Sequence, residues 1–329
     1  MNTRRIFKLS LKNFLKPSRT SIIKLMSALS AAYLLASQSS FAQTNNNVDS
    51  INVNNIENIN QQNTITIEDL QEEFNDETFD LSSSEVGYGE KYKNANLDDK
   101  NAFYNGGGDF TKYGRDIEAS GMYAKGQKLN SSWWCKTYVD WLLYQTISKI
   151  IKKYDLNLDA AELTCDLLLQ KKGGPVIRVS QMCEKFEKAG LVAETAEQGD
   201  IVAIEKIQLD DNGIIIADDI THTALVVKSE QTRNGYTYFF IGEGNSPNAK
   251  GEEKGKVRRS GLFYKKDEQG HNILYDPNAK PNPNEIQIVR IFSLPYEIIF
   301  NKILEKININ KEQTTNIETS KTLYPAQFK

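Results

Sequence analysis

The chain predicts an α+β fold, helices first and an antiparallel sheet after them, and three observations carry that reading. Apolar residues recur at helical spacing between residues 135 and 189. Short β-branched and aromatic runs follow between residues 201 and 292. Glycine and proline punctuate the segments of both kinds. Helices and strands segregated along the chain, rather than alternating, put the helices on one side of the sheet.

The elements follow in order. Residues 1–42 carry Arg4, Arg5, Lys8, Lys12, Lys16, Arg19 and Lys24 with no acid, then an apolar run from Leu25 to Ala36, then Ser40-Phe41-Ala42. Basic region, apolar region and small residues before a cut make a secretory signal peptide. The apolar run has 12 residues, too short to span a bilayer, so no stable membrane anchor is expected. Its removal leaves 33 basic against 43 acidic residues, and an acidic chain without a basic stripe is not a nucleic-acid binder.

Residues 43–85 hold nine asparagines between 43 and 63 and seven acids between 68 and 80, and predict a disordered spacer. Residues 86–108, rich in Gly, Asn, Asp and Lys, read as an irregular lead-in, and residues 109–295 as the folded domain.

Within that domain a short helix is expected over Tyr113–Met122. A longer one starts near Cys135, after the capping residues Asn130, Ser131 and Ser132, and reaches Lys153. Two more span Asp159–Gln170 and Ser180–Ala189, the last stopped by Gly190. About five strands follow: Ile201–Ile204, Thr223–Lys228, Tyr236–Ile241, Lys256–Tyr264 and Ile286–Phe292. Asp210-Asp211-Asn212-Gly213 marks a hairpin inserted ahead of Thr221. Residues 296–329 predict an amphipathic helix over Tyr296–Ile307 and a polar tail.

Three residue groups carry chemistry. Cys135 falls in the first turn of a helix, where unpaired backbone N–H groups and the macrodipole favour a thiolate and can cradle an oxyanion. Of the two histidines, His222 opens a strand and is the candidate general base. His271 lies in a charged turn and reads as solvated. Glu243 and Asn245, at the exit of the next strand, can each orient an imidazole, and the sequence leaves the choice between them open. Cys165 and Cys183 either pair as a disulfide or stay buried as free thiols, and the spacing does not decide.

Trp134-Cys135 with Tyr138-Val139-Asp140-Trp141, then Gly199-Asp200-Ile201-Val202, then His222 to Val227, then Glu243-Gly244-Asn245, resemble in this order the CHAP family. These are cysteine- and histidine-dependent amidohydrolases and peptidases, related to NlpC-type peptidases in the papain-like superfamily. The resemblance covers about residues 110–292. It implies a papain-like domain with helices packed on a roughly five-stranded antiparallel sheet. It also implies Cys135 as nucleophile, His222 as base and Glu243 or Asn245 as the third member.

The family's usual substrate implies a peptidoglycan stem peptide or glycan as partner, an exported enzyme in the periplasm or at the cell surface, and no cofactor. Two features depart from the family. Trp134 stands where many members have Gln, which leaves a second oxyanion donor unassigned, and Lys206–Ile220 is longer than usual and can reshape the cleft. Trp133, Trp134 and Tyr123 are candidates to line a substrate groove, while Trp141, at helical spacing, is read as core. The alternatives are a secreted cysteine protease or acyltransferase on a non-wall target, and a non-catalytic binding module that keeps the fold.

Overall fold

Thr66 opens the first described helix with a reciprocal cap. Its hydroxyl accepts from the Asp69 N–H, and the Asp69 carboxylate accepts from the Thr66 N–H at 2.8 Å. This starts α1 (Ile67–Glu85), so the acidic half of the expected spacer is a helix. The acids occupy its outer face, where Glu73 and Glu77 meet Lys153 and Lys149, while Leu70, Phe74, Thr78 and Ser82 are buried. An apolar stripe of two large residues was too thin to outweigh seven acids in the sequence. Each of those two side chains, once buried, contributes about 1.5–3 kcal/mol.

The computed structural model of the chain describes residues 65–100, 110–127, 129, 134–233, 236–244, 255–275, 282 and 284–323. The expected signal peptide, the Asn-rich stretch, Trp133 and Asn245 lie outside the described residues. From residue 65 on the chain is a single unit. After α1 come α2 (Lys112–Ser120), α3 (Cys135–Lys153), α4 (Ala160–Leu167) and α5 (Val179–Lys188). Strands β1 (Ile201–Leu209), β2 (Ile215–Arg233), β3 (Tyr236–Glu243), β4 (Arg258–Lys266), β5 (Asn272–Tyr275) and β6 (Glu285–Phe292) follow, then α6 (Tyr296–Leu323).

The fold is α+β, and the strands pair antiparallel in sequence order and close β6 onto β1 as a six-stranded barrel. The sequence reading gave about five strands because β5, four residues long beside a charged turn, is too short to show a period. The expected inserted hairpin is the tip of a long β1–β2 ribbon that turns at Asp210–Gly213. The last helix continues well past Ile307.

Two cores divide the apolar residues. The barrel interior holds Val202, Ala224, Val226, Phe239, Ile241, Tyr264, Val289 and Ile291. The second core lies between the helices and the barrel's outer face, where Ile201, Ala203, Leu225 and Phe292 meet α1, α3, α5 and α6. Strand periodicity of two sends alternate residues into these two cores. Phe74 of α1 packs edge-on against Tyr296 and Phe300 of α6, with ring centroids 4.9 and 6.0 Å apart. The Tyr296 hydroxyl in turn donates to the Gly199 carbonyl at 2.6 Å. Gly199 has φ +94° and leads into β1, and a Cβ there would lie 2.8 Å from the same hydroxyl, so this turn requires glycine.

Candidate active site

The barrel alternation places the chemistry. Ala224 and Val226 face the barrel interior, and His222 continues their row, in the middle of β2 rather than at the start of a strand as expected. Glu243 continues the inward face of Phe239 and Ile241, and Ser260 that of Leu262 and Tyr264. Three neighbouring strands thus end their apolar inward rows in three polar residues at one mouth of the barrel. His222 Nε2 lies 2.8 Å from Glu243 Oε2, and Ser260 Oγ donates to Glu243 Oε1 at 2.5 Å. His222 is 6 % and Glu243 5 % exposed, so the pair is screened little by water.

Helix α3 delivers the thiol to that mouth. Its N-cap is Trp134, which makes no side-chain capping bond, so the first-turn N–H groups stay available. Cys135 is the first helical residue and is buried. Its thiol is coupled electrostatically to His222 and to the Thr223 and Lys136 N–H groups, all of which favour the thiolate. With Nε2 on the carboxylate, Nδ1 is the ring nitrogen left for the sulfur.

Gly244 makes the approach possible. A Cβ at this position would sit 2.6 Å from Trp134 Cζ3 and 2.6 Å from Tyr138 Cβ. The exit of β3 therefore lies directly on the start of α3, and this contact holds Glu243 near the nucleophile.

The electrostatics agree with the geometry. Burial pushes the Cys135 thiol up, but the His222 hydrogen bond and charge, with the two backbone donors, outweigh it and bring the thiol below its ordinary value. For His222 burial pulls down, while Cys135 and Glu243 push up, and the net shift is upward. Both shifts favour the thiolate–imidazolium form of the pair, with Glu243 as the counter-charge that holds the ring.

The sulfur lies on the wall of a cleft of about 600 Å³ between the start of α3, the loop into α5 and the Asp219–Thr221 part of β2. The long β1–β2 ribbon therefore does shape the cleft. Lys136 and Asp140 form its floor as a buried pair 2.8 Å apart, and Lys136 Nζ also donates to the Tyr123 hydroxyl at 2.7 Å.

Two expected groove residues are corrected here. Tyr123, 5 % exposed, is spent on Lys136 and Asp140 and does not line the cleft. Trp134 is wholly buried, stacked on Tyr113 with centroids 5.6 Å apart, and acts as a wedge between Gly244 and the aromatic core. Trp141 is core, and its Nε1 donates to Asp116. Trp133 and Asn245 fall outside the described residues, and Glu243 is the residue seen holding the imidazole.

His271 sits in its exposed turn, 3.0 Å from Asp267. Cys165 and Cys183 are buried free thiols, each pushed by burial up to about 12. Sequence reasoning missed Ser260. Its only signal was its place two residues before Leu262 on an inward-facing row.

No family model, curated protein or solved structure matches the chain. Among the described residues no helix is long and apolar enough to cross a membrane.

Proposed function

We propose that the protein is an exported cysteine amidohydrolase or peptidase of papain-like, CHAP/NlpC-type architecture that cleaves amide bonds of bacterial peptidoglycan. The observation that carries the reading is the line Cys135–His222–Glu243: a helix-start thiol coupled electrostatically to an imidazole whose Nε2 lies 2.8 Å from a buried carboxylate. The basic and apolar N-terminus supports export, and the order of the four motifs supports the wall as substrate.

In this reaction the Cys135 thiolate attacks the amide carbonyl carbon and a C–S bond forms. The oxyanion of the tetrahedral intermediate takes the first-turn N–H of Cys135. The imidazolium of His222 gives its proton to the leaving nitrogen as the C–N bond breaks, and a thioester remains. Neutral His222 then removes a proton from water, the hydroxide attacks the thioester, and thiolate and acid product leave. Glu243 keeps the ring oriented and stabilises its charged form throughout.

The test is digestion of purified peptidoglycan by residues 43–329 beside Cys135→Ala, with fragments read by mass spectrometry. Cys135-dependent release of free stem peptides identifies an amidase, and shortened or uncrosslinked stems an endopeptidase. Release of nothing from several wall chemotypes, while an activated-thiol probe labels Cys135, moves the substrate to a non-wall target.

A further inference from the structure

The cleft beside Cys135 is lined by four charged side chains from three elements: Lys136 and Asp140 of α3, Arg178 ahead of α5 and Asp219 of β2. They are not equivalent. Lys136 and Asp140 neutralise each other, with both carboxylate oxygens within 2.9 Å of the ammonium, and the Tyr123 hydroxyl takes the remaining donor. This pair presents no free charge to a ligand. Arg178 and Asp219 are both exposed, and neither makes an ion pair with another described residue.

The neighbour that could have neutralised Asp219 is committed elsewhere. Lys206, opposite Asp219 in the strand register, pairs with Glu285. One free cation and one free anion thus reach the same cavity as the nucleophile, from separate elements, between apolar side chains such as Ile177 and Ile220.

We propose that Arg178 and Asp219 form a charge clamp that selects an amphoteric peptide, one carrying a carboxylate and a protonated amine near the amide to be cut. The clamp rests on the hydrolase reading of Cys135. Arg178 suits the carboxylate because its planar guanidinium bonds both oxygens at once, and Asp219 suits the ammonium. The partly enclosed cleft makes each pair stronger than on an open surface, where such pairs contribute little. When it fills the cleft, a singly charged peptide leaves one of the two charges unpaired and a neutral peptide leaves both, and that supplies the discrimination.

The experiment uses the full chain with Cys135→Ala, so that binding is measured without turnover, and calorimetry with N-acetyl-Ala-Glu-Lys-amide. Three partners have Gln for Glu, acetyl-lysine for lysine, or both. The expected result is that each neutralisation weakens binding about tenfold. Arg178→Gln erases only the preference for Glu over Gln, Asp219→Asn erases only the preference for lysine over acetyl-lysine, and 0.5 M NaCl shrinks both. Equal binding of the four peptides, or a loss that each variant shows with every peptide, overturns the clamp.

Wild-type protein is run in parallel against peptidoglycan. Cys135-dependent cleavage with equal binding of the peptides leaves the hydrolase and removes the clamp. Charge-selective binding without any cleavage removes the hydrolase and keeps a peptide-binding cleft.

Discussion

His222 reaches across one strand boundary to Glu243, Nε2 to Oε2 at 2.8 Å, and the two residues belong to neighbouring strands of one closed sheet. The carboxylate is held from its other side by Ser260, so the imidazole rests on a chain of side chains each fixed by the next strand. Replacing Glu243 by Gln keeps the shape and removes the counter-charge that favours imidazolium. Alkylation of Cys135 by iodoacetamide at neutral pH is expected to slow at least about tenfold, since one tenfold step corresponds to about 1.4 kcal/mol of lost ion-pair stabilisation. An unchanged rate would show that the carboxylate does not tune the thiol.

Ser260→Ala removes the donor to Glu243 Oε1 and leaves the carboxylate free to turn. A hydrogen bond to a charged acceptor contributes about 1.5–3 kcal/mol, so kcat on a wall substrate is expected to fall roughly ten- to hundredfold with KM unchanged. Ser260→Thr, which keeps the hydroxyl, should recover most of the rate. A drop in KM-dependent binding without loss of kcat would contradict this positioning role.

The pH dependence follows from the two opposed shifts. Cys135 is lowered, so the thiolate disappears only when the pH falls through that lowered value, and both alkylation and hydrolysis fail there. His222 is raised, so a rise of pH through its raised value removes the proton that the leaving amine needs. Hydrolysis should therefore trace a bell, while alkylation rises once on the acid limb and stays high on the alkaline one. Stopped-time alkylation and digestion across a common pH series check this. An alkylation curve that begins only in the ordinary thiol range rules out the preformed ion pair.

Gly244→Ala places a methyl group 2.6 Å from Trp134 and Tyr138. Neither neighbour can retreat, because Trp134 is wholly buried and Tyr138 is on the rigid second turn of the helix. Overpacking of this kind costs about 1–3 kcal/mol. Thermal unfolding by circular dichroism should show a melting temperature lower by several degrees, and activity should fall further than stability does, because Glu243 is the adjacent residue.

Lys136 and Asp140 give a double-mutant test. Either Lys136→Met or Asp140→Leu alone strands a buried charge and is expected to destabilise by about 3–5 kcal/mol, whereas the two together should cost far less. Urea unfolding of the three variants measures the coupling, and additive effects would mean the pair is hydrated in solution.

Much of this arrangement was legible in the residues. The helix from Cys135 to Lys153 declared itself through Tyr138, Val139, Leu142, Ile147 and Ile150, because a continuous apolar stripe has one period only. His222 stood out by scarcity. That Glu243 meets His222 was not legible, because it depends on how β2 pairs with β3 and on closure of the barrel by the pairing of β1 with β6 about 80 residues away. Trp134 and Tyr123 were misjudged for a related reason. Aromatic residues near a nucleophile suit a groove and a core equally, and only Tyr113 and Asp140, from elsewhere in the fold, decide for the core.

Closure of β1 by β6 also bears on the protein's birth. The strand that seals the sheet is synthesised after Cys135, His222, Glu243 and Ser260, and α1, the first helix, waits for α6, the last, to cover Phe74. A chain halted before residue 285 owns all four side chains yet has an open sheet edge and an uncovered first helix. In a chain assembled in this way, the ring of contacts that holds Cys135, His222 and Glu243 together is completed only by its last strand and last helix.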